Sequence, residues 1–313
     1  MDVWKGNKLE IHYYFSDSSH EIDALIRNKC ESELLAIAYE AASVFDIPLK
    51  LVSEPTQEGG FKEFWTALGD NSAQLQVLLV AIGVVTTIYF SYTPEEDERK
   101  KTLEELQIQE LKLRLKDMTT ATDGEKLEVA EAVANKLSKN LKITKRRSNF
   151  YSHLNNYPKV SFVSISAISK ERRLKGEVKL PRSEFKNFIL SSNRLKVQEV
   201  DSAEIEIISP VLKDGNYKWK GIYEGYPISF SMTDNKFRDA IFIDGLKFHA
   251  GTTIRCLLQI HRELDEIGEV KIKSYSVPTV IDILDGPTIQ RTKQGKAYIH
   301  AKKMRENQND LFG

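Results

Sequence analysis

Cysteine is nearly missing from this chain of 313 residues: Cys30 and Cys256 are the only two, far apart and each inside an apolar-patterned segment. That excludes a disulfide scaffold and a thiolate zinc site, and it points to a reducing compartment with two ordinary buried thiols. Net charge is missing too, with 45 basic against 45 acidic residues, so the molecule as a whole is not built electrostatically for nucleic acid. The opening Met1-Asp2-Val3-Trp4-Lys5 lacks the apolar core and cleavage site of a secretory signal, and the expectation is a cytoplasmic protein. The six histidines are scattered, and no two have metal-ligand spacing. No phosphate-binding glycine loop, dinucleotide fingerprint or nucleophile elbow occurs. No cofactor is expected, and a non-enzymatic protein is the leading expectation.

What the sequence does have is one long uncharged run, from Leu75 to Tyr92, in an otherwise polar chain. As a helix it would be roughly 27 Å long at about 1.5 Å per residue, close to a bilayer core of about 30 Å. Trp65, Tyr89, Phe90 and Tyr92 flank it, Ala81 and Gly83 would allow close helix contact, and Arg99, Lys100 and Lys101 follow it. Those features suit a transmembrane helix with the C-terminal portion inside. Against that, Gln74, Gln76, Thr86, Thr87 and Ser91 dilute the apolar signal, and a single span would strand the N-terminal residues on the far side. The alternative is a helix buried in a core or at an oligomer axis. Either environment calls for a hydrophobic partner, and self-association supplies one.

The pattern as a whole predicts an α+β chain in five segments. Residues 1–70 read as a βαβ unit. Leu9, Ile11, Tyr13 and Phe15 alternate as in a strand, and Ile22 to Val44 carry helical spacing after Asp17-Ser18-Ser19. A second strand from Leu49, parallel to the first, and a short helix over Phe61 to Leu68 complete it. So small a sheet should be extended by another copy or by another part of the chain. Residues 71–93 hold the apolar helix. Residues 94–147 form a helical hairpin opening at Thr93-Pro94-Glu95-Glu96, which has the residues of a helix start. Residues 148–286 form a mostly antiparallel β-rich binding domain, with a hairpin turn at Glu224-Gly225 and a helix capped by Asp234. Residues 287–313 are a basic, polar tail without a core.

Two local patterns suggest chemistry. Between Ala132 and Lys170 there is no acidic residue, while Lys142, Lys145, Arg146 and Arg147 accumulate beside Phe150 and Tyr151. Basic residues interleaved with aromatics can hold phosphates and stack bases, or lie on anionic lipid headgroups. They could equally be a solvated helix face paired with an acidic neighbour. Separately, Glu-Val-Lys occurs at Glu177–Lys179 and Glu269–Lys271. Metal-dependent nucleases place a Glu-x-Lys strand beside an aspartate, so Asp244, Glu269 and Lys271 are catalytic candidates. Glu-x-Lys is also common in exposed hairpins.

The chain closes on Gln308-Asn309-Asp310-Leu311-Phe312-Gly313. The five residues from Gln308 to Phe312 resemble the peptide with which bacterial replication and repair proteins dock on the DNA sliding clamp. The resemblance implies that Gln308 fills a small polar pocket and that Leu311 and Phe312 enter a hydrophobic one. Asn309 departs from the leucine the family prefers. Taken together, the leading expectation is a bacterial, self-associating, inner-membrane-linked sensor or adaptor, of a kind that would suit phage defence. A soluble oligomer that binds nucleic acid and associates with the clamp is the alternative, and a metal-dependent nuclease is the weakest.

Overall fold

The computed structural model describes residues 6–17, 21–54, 61–89, 98–169, 172–211, 213, 215, 217–243, 245, 248–249 and 251–312, without the side chains of 54, 98–101, 242 and 305–312. It comprises two compact units, Met1–Ser192 with Glu266–Glu269, and Asn193–Asp265 with Val270–Gly313. The α+β expectation holds: each unit has its own mainly antiparallel sheet and its own helices.

In the first unit, Leu9, Ile11 and Tyr13 are fully buried on β1 (Asn7–Phe15). Asp23 caps α1 (Ala24–Val44), accepting from the backbone N–H groups of Leu25 and Ile26 at 2.9 and 3.0 Å. The chain returns as β2 (Lys50–Glu54) and β3 (Phe61–Leu68). The helix expected over Phe61 to Leu68 is therefore a strand. Its aromatic and β-branched residues suit a sheet, and β3 runs antiparallel to both β1 and β2. It separates the two strands that the βαβ reading made neighbours. On its other side β1 pairs with β4 (Val160–Ser169), whose own partners are β5 (Arg172–Arg173) and β6 (Leu180–Pro181). The sheet has the order β2-β3-β1-β4-β5, with β6 beside β4. The undersized N-terminal sheet is thus extended by another part of the chain, and residues 148–192 belong here rather than to the β-rich domain.

The uncharged run from Leu75 to Thr87 lies on α2 (Ser72–Thr87), which is capped by Asn71 and gives way to extended backbone at Ile88; its last residues, Phe90 to Tyr92, lie outside the described residues. Its 16 residues span about 24 Å. No helix among the described residues is long and apolar enough to cross a membrane, so the expected transmembrane helix is not found there. Nor is α2 free to build an oligomer axis, because its residues from Val77 to Thr87 are buried in the core of their own unit. A methyl group on Gly83 would lie 3.0 Å from the Ile165 carbonyl oxygen, so the small residue lets α2 approach β4, not a second helix. Thr86 and Thr87 satisfy their buried hydroxyls by donating to the carbonyls of Ile82 and Gly83, each at 2.7 Å.

Three helices follow: α3 (Glu98–Lys116), α4 (Asp123–Leu137) and α5 (Leu141–Asn155). The start foreseen at Thr93-Pro94 lies outside the described residues. Thr122 and Glu125 form a reciprocal capping box at α4, which explains the sharp break after α3. On α5, Tyr151 donates to the Thr86 carbonyl at 2.8 Å and Arg147 to that of Val85 at 2.7 Å. Both carbonyls sit at the C-terminal end of α2, where no further helical turn can take them. A 3-10 helix, Arg182–Phe188, packs Phe185 and Phe188 against Tyr151.

The second unit is a closed barrel. It is built from β7 (Gln198–Ser209), β8 (Trp219–Tyr223), β9 (Tyr226–Met232), α6 (Asn235–Phe242), β10 (Thr253–Leu264) and β11 (Val270–Asp285). The first three strands form a meander, with Glu224 and Gly225 both at positive φ in a two-residue turn, as a type I′ hairpin requires. Asp234 caps α6 as the sequence predicts, accepting from Phe237 N at 3.0 Å. β10 pairs antiparallel with β7 and β11, and β11 closes the circle against β9 in parallel register. The circular order β7-β8-β9-β11-β10, with a helix between the third and fourth strands, is that of the OB fold. Positive φ at Ser202, beside a register shift, bends β7 so that it serves two neighbours. Gly221 is needed inside: a methyl group there would meet Ile205 at 2.6 Å.

The tail read as basic, polar and without a core forms β12 (Thr288–Arg291) and α7 (Lys293–Phe312). Thr292 starts the helix, its hydroxyl accepting from Gly295 N at 2.9 Å. Beneath α7, Glu204, Arg255, Asp282 and Arg291 form a row of alternating charge across β7, β10, β11 and β12. Arg255 reaches Glu204 at 2.7 Å and Asp282 at 3.3 Å, and Arg291 reaches Asp282 at 2.9 Å.

The contact between α5 and the end of α2 generates a stability prediction. Tyr151→Phe leaves the Thr86 carbonyl without its donor in a dry core, at an expected cost of about 1–3 kcal/mol. Urea unfolding should show a lower midpoint with an unchanged slope.

Candidate functional site

The basic, aromatic segment lies on α5, and the fold uses most of it internally. Phe150 and Tyr151 are fully buried, and Arg147 and Lys145 are buried as well. No stacking face is left for a base. Burial lowers the Arg147 pKa, with Tyr151 and Tyr89 opposing, and its guanidinium lies over the Phe188 ring at 5.5 Å. The residues nearer the surface meet carboxylates. Arg146 pairs with Glu33 at 3.2 Å, and Lys142 stands 3.9 Å from both Glu40 and Glu269. Lys139 pairs with Glu104 of α3 at 2.6 Å. The segment is a packed helix neutralised by its neighbours, not an open phosphate track.

The two Glu-Val-Lys motifs have separate fates. Glu269 sits near Lys142, whereas Lys271, on β11, lies 3.8 Å from Asp265. Asp244 lies outside the described residues. Among those described, no group of three or more His, Cys, Asp or Glu side chains could hold a metal ion. Both cysteines are buried, and burial pushes their thiols up to about 12, which leaves them unreactive.

The first motif belongs to a polar cluster on the sheet of the first unit. Glu177 accepts from Tyr14, from Ser164 at 2.7 Å and from Arg173 at 2.7 Å, and Arg173 reaches on to Glu10 at 2.9 Å. Burial would raise the Glu177 pKa, but these hydrogen bonds outweigh it and hold the carboxyl at about 2. Burial, and then the bond to Glu177, push Tyr14 up to about 12. Glu177 is therefore an anion with its oxygens already engaged, which makes it a structural anchor. Beside it His12 is buried, with Nδ1 lacking a hydrogen-bond partner.

The second unit offers a different surface. Outward on β8, Lys220 sits between Ser209 of β7 and Ser229 of β9, and Ile222 sits between Glu206 and Pro227. Small serines beside Lys220 leave the sheet open to a flat ligand. The β7–β8 connection brings exposed Lys213, Tyr217 and Lys218 to the start of this hairpin, and Tyr226, 73 % exposed, stands at its far end. The five residues of β8 separate those ends, about 17 Å. Positive charge gathers at the Tyr217 end, while Glu206 and Glu224 lie toward the other. The sequence carried this signal in Lys213-Asp214-Gly215-Asn216-Tyr217-Lys218-Trp219-Lys220, which has the same lysine–aromatic mixture as α5. The backbone helix of α7 continues through Phe312, and the side chains of Gln308, Leu311 and Phe312 lie outside the described residues.

No protein-family model matches the chain, and no curated protein or solved structure matches it either. The likeness of the second unit to the OB fold is one of strand order alone.

The His12 cluster generates a pH prediction. Burial lowers its pKa from 6.5 to about 4, with Lys62, Lys179 and Arg173 acting in the same direction and Glu177 against. The unfolded chain therefore takes up this proton first as pH falls. The stability contribution is complete above about pH 6.5 and is lost as pH drops toward 4. Melting temperature should fall over that window, and His12→Asn should remove that part of the slope. The Glu177 window, from 4.5 down to about 2, lies below it.

Proposed function

We propose that this protein is a non-enzymatic binder of single-stranded nucleic acid, acting through the β8–β9 face of its barrel. The observation that carries the reading is the coincidence of OB strand order with lysines and exposed tyrosines on that hairpin and its preceding loop. In OB barrels the second and third strands and the first connecting loop receive oligonucleotides. Lysines there track phosphates, while aromatic rings stack bases without regard to sequence. Lys218 and Lys220 are assigned to the backbone, and Tyr217 and Tyr226 to stacking.

This is the soluble nucleic-acid alternative of the sequence, moved from α5 to the barrel. The membrane-linked sensor reading rested on the run that forms α2, and α2 is occupied within its own unit. The terminal Gln308 to Phe312 extends the proposal by supplying a dock for a bacterial sliding clamp, which would deliver the binder to replicating or repaired DNA.

Anisotropy titrations of a labelled oligothymidylate at several salt concentrations test the interface. Binding should weaken with salt, and Lys218→Ala with Lys220→Ala should flatten the log–log slope by about 0.7 for each lost phosphate contact. Tyr217→Ala should cost about 1–3 kcal/mol of affinity at an unchanged slope. Binding that ignores all three substitutions would sink the reading. Clamp docking is checked separately: a purified bacterial clamp should bind the wild-type chain and not Leu311→Ala with Phe312→Ala.

A further inference from the structure

A cavity of about 380 Å³ opens in the first unit beside α2, within the range of roughly 300–1,000 Å³ typical of small-molecule sites. Its apolar side comes from Val77 and Val80 of α2 and Leu127 of α4. The two valines are almost wholly shielded from solvent, at 1 % and 7 % exposure. The polar side begins at Gln76, which donates to Ser169 at 2.9 Å, so both amide and hydroxyl are positioned before a ligand arrives.

Charge at the rim is one-sided. Among the described residues, Lys126, Arg172 and Arg173 line the cavity together with one carboxylate, Asp123. Arg173 is held by Glu177 and Glu10, so its guanidinium is fixed and its charge compensated. Arg172 is exposed and Lys126 half-buried at the rim, and the two supply the positive excess over Asp123. A neutral apolar ligand would leave this rim unused, and a bare inorganic ion would leave the valine floor unused.

We infer that the cavity binds a small organic oxyanion with an apolar body. Its carboxylate or phosphate group meets Arg172 and Lys126, and its body lies on Val77, Val80 and Leu127. A guanidinium and an ammonium favour an oxyanion through charge-assisted hydrogen bonds, and the ligand's apolar body gains by leaving water for the floor. The site is in a different unit from the β8–β9 face, and its occupancy does not depend on nucleic-acid binding.

The test is a fluorescence titration of the full chain with anilinonaphthalene sulfonate, a probe that joins an apolar aromatic body to an oxyanion. Saturable binding to the folded protein is expected. Arg172→Glu with Lys126→Glu should weaken it by roughly tenfold or more, and Val80→Trp should abolish it by filling the floor. Circular dichroism establishes which variants fold. Should Val80→Trp fail to fold, the charge reversal decides, because Arg172 is exposed and Lys126 lies outside the buried core. Competition distinguishes the headgroup: displacement by benzoate assigns a carboxylate, and displacement by phenyl phosphate alone assigns a phosphate. Absence of saturable binding, or affinity unchanged by the charge reversal, overturns the inference.

Discussion

The first unit depends on how the carbonyl end of α2 is closed. A helix buried on every side cannot leave its last carbonyls to water, and an unmet buried carbonyl costs about as much as a lost hydrogen bond. Tyr151 and Arg147 reach from α5 to Thr86 and Val85, and a positive group at a helix C-terminus also suits the helix dipole. That closure fixes α5 against α2. The phenylalanines of the adjoining 3-10 helix then pack on Tyr151, and β4 begins shortly after α5 to join β1.

The same device recurs one helix later. Arg182 donates to the Leu154 and Tyr157 carbonyls at 3.0 and 2.9 Å, at the end of α5. Arginine serves this role well because its planar fork offers several donors at once and is less strongly hydrated than an ammonium. Charges that would mark a binding surface by composition are thereby taken into the architecture. Nearer the solvent, Arg146, Lys142 and Lys139 are met by Glu33, Glu40 and Glu104. A rim with Lys126 and Arg172 lies above the valine floor.

The second unit solves a different problem. Closing a barrel removes exposed sheet edges, and here closure comes from a short parallel pairing of Tyr275–Val277 with Phe230–Met232. Strand β7 can reach two neighbours because the chain bends at Ser202. The side of the barrel toward α7 is filled by the row Glu204, Arg255, Asp282 and Arg291. The β8–β9 side carries Lys220 between two serines. One side of the barrel is therefore committed to structure, and the other is presented to solvent with lysine and tyrosine at its margin.

Short-range signals alone determined a good part of this protein. The α+β class, the strand at Leu9 to Phe15, the hairpin turn at Glu224-Gly225, the Asp234 cap and the buried state of both cysteines were legible, because alternation, positive-φ turns and capping are properties of a few neighbouring residues. Strand β3 was misread as a helix because eight residues are too few for periodicity to settle without their partners. The ordered segment after Asp285 was missed because α7 is polar along most of its length. Only the tertiary structure decided what the uncharged run is. Val, Leu and Ile lose water equally in lipid and in protein, so hydropathy cannot name the solvent; Ile165 and Tyr151, remote in sequence, make it protein. It likewise decided that the charges of α5 turn inward and that the exposed lysine–tyrosine surface belongs to the barrel, since a side chain's facing is set by packing partners that the local sequence does not contain.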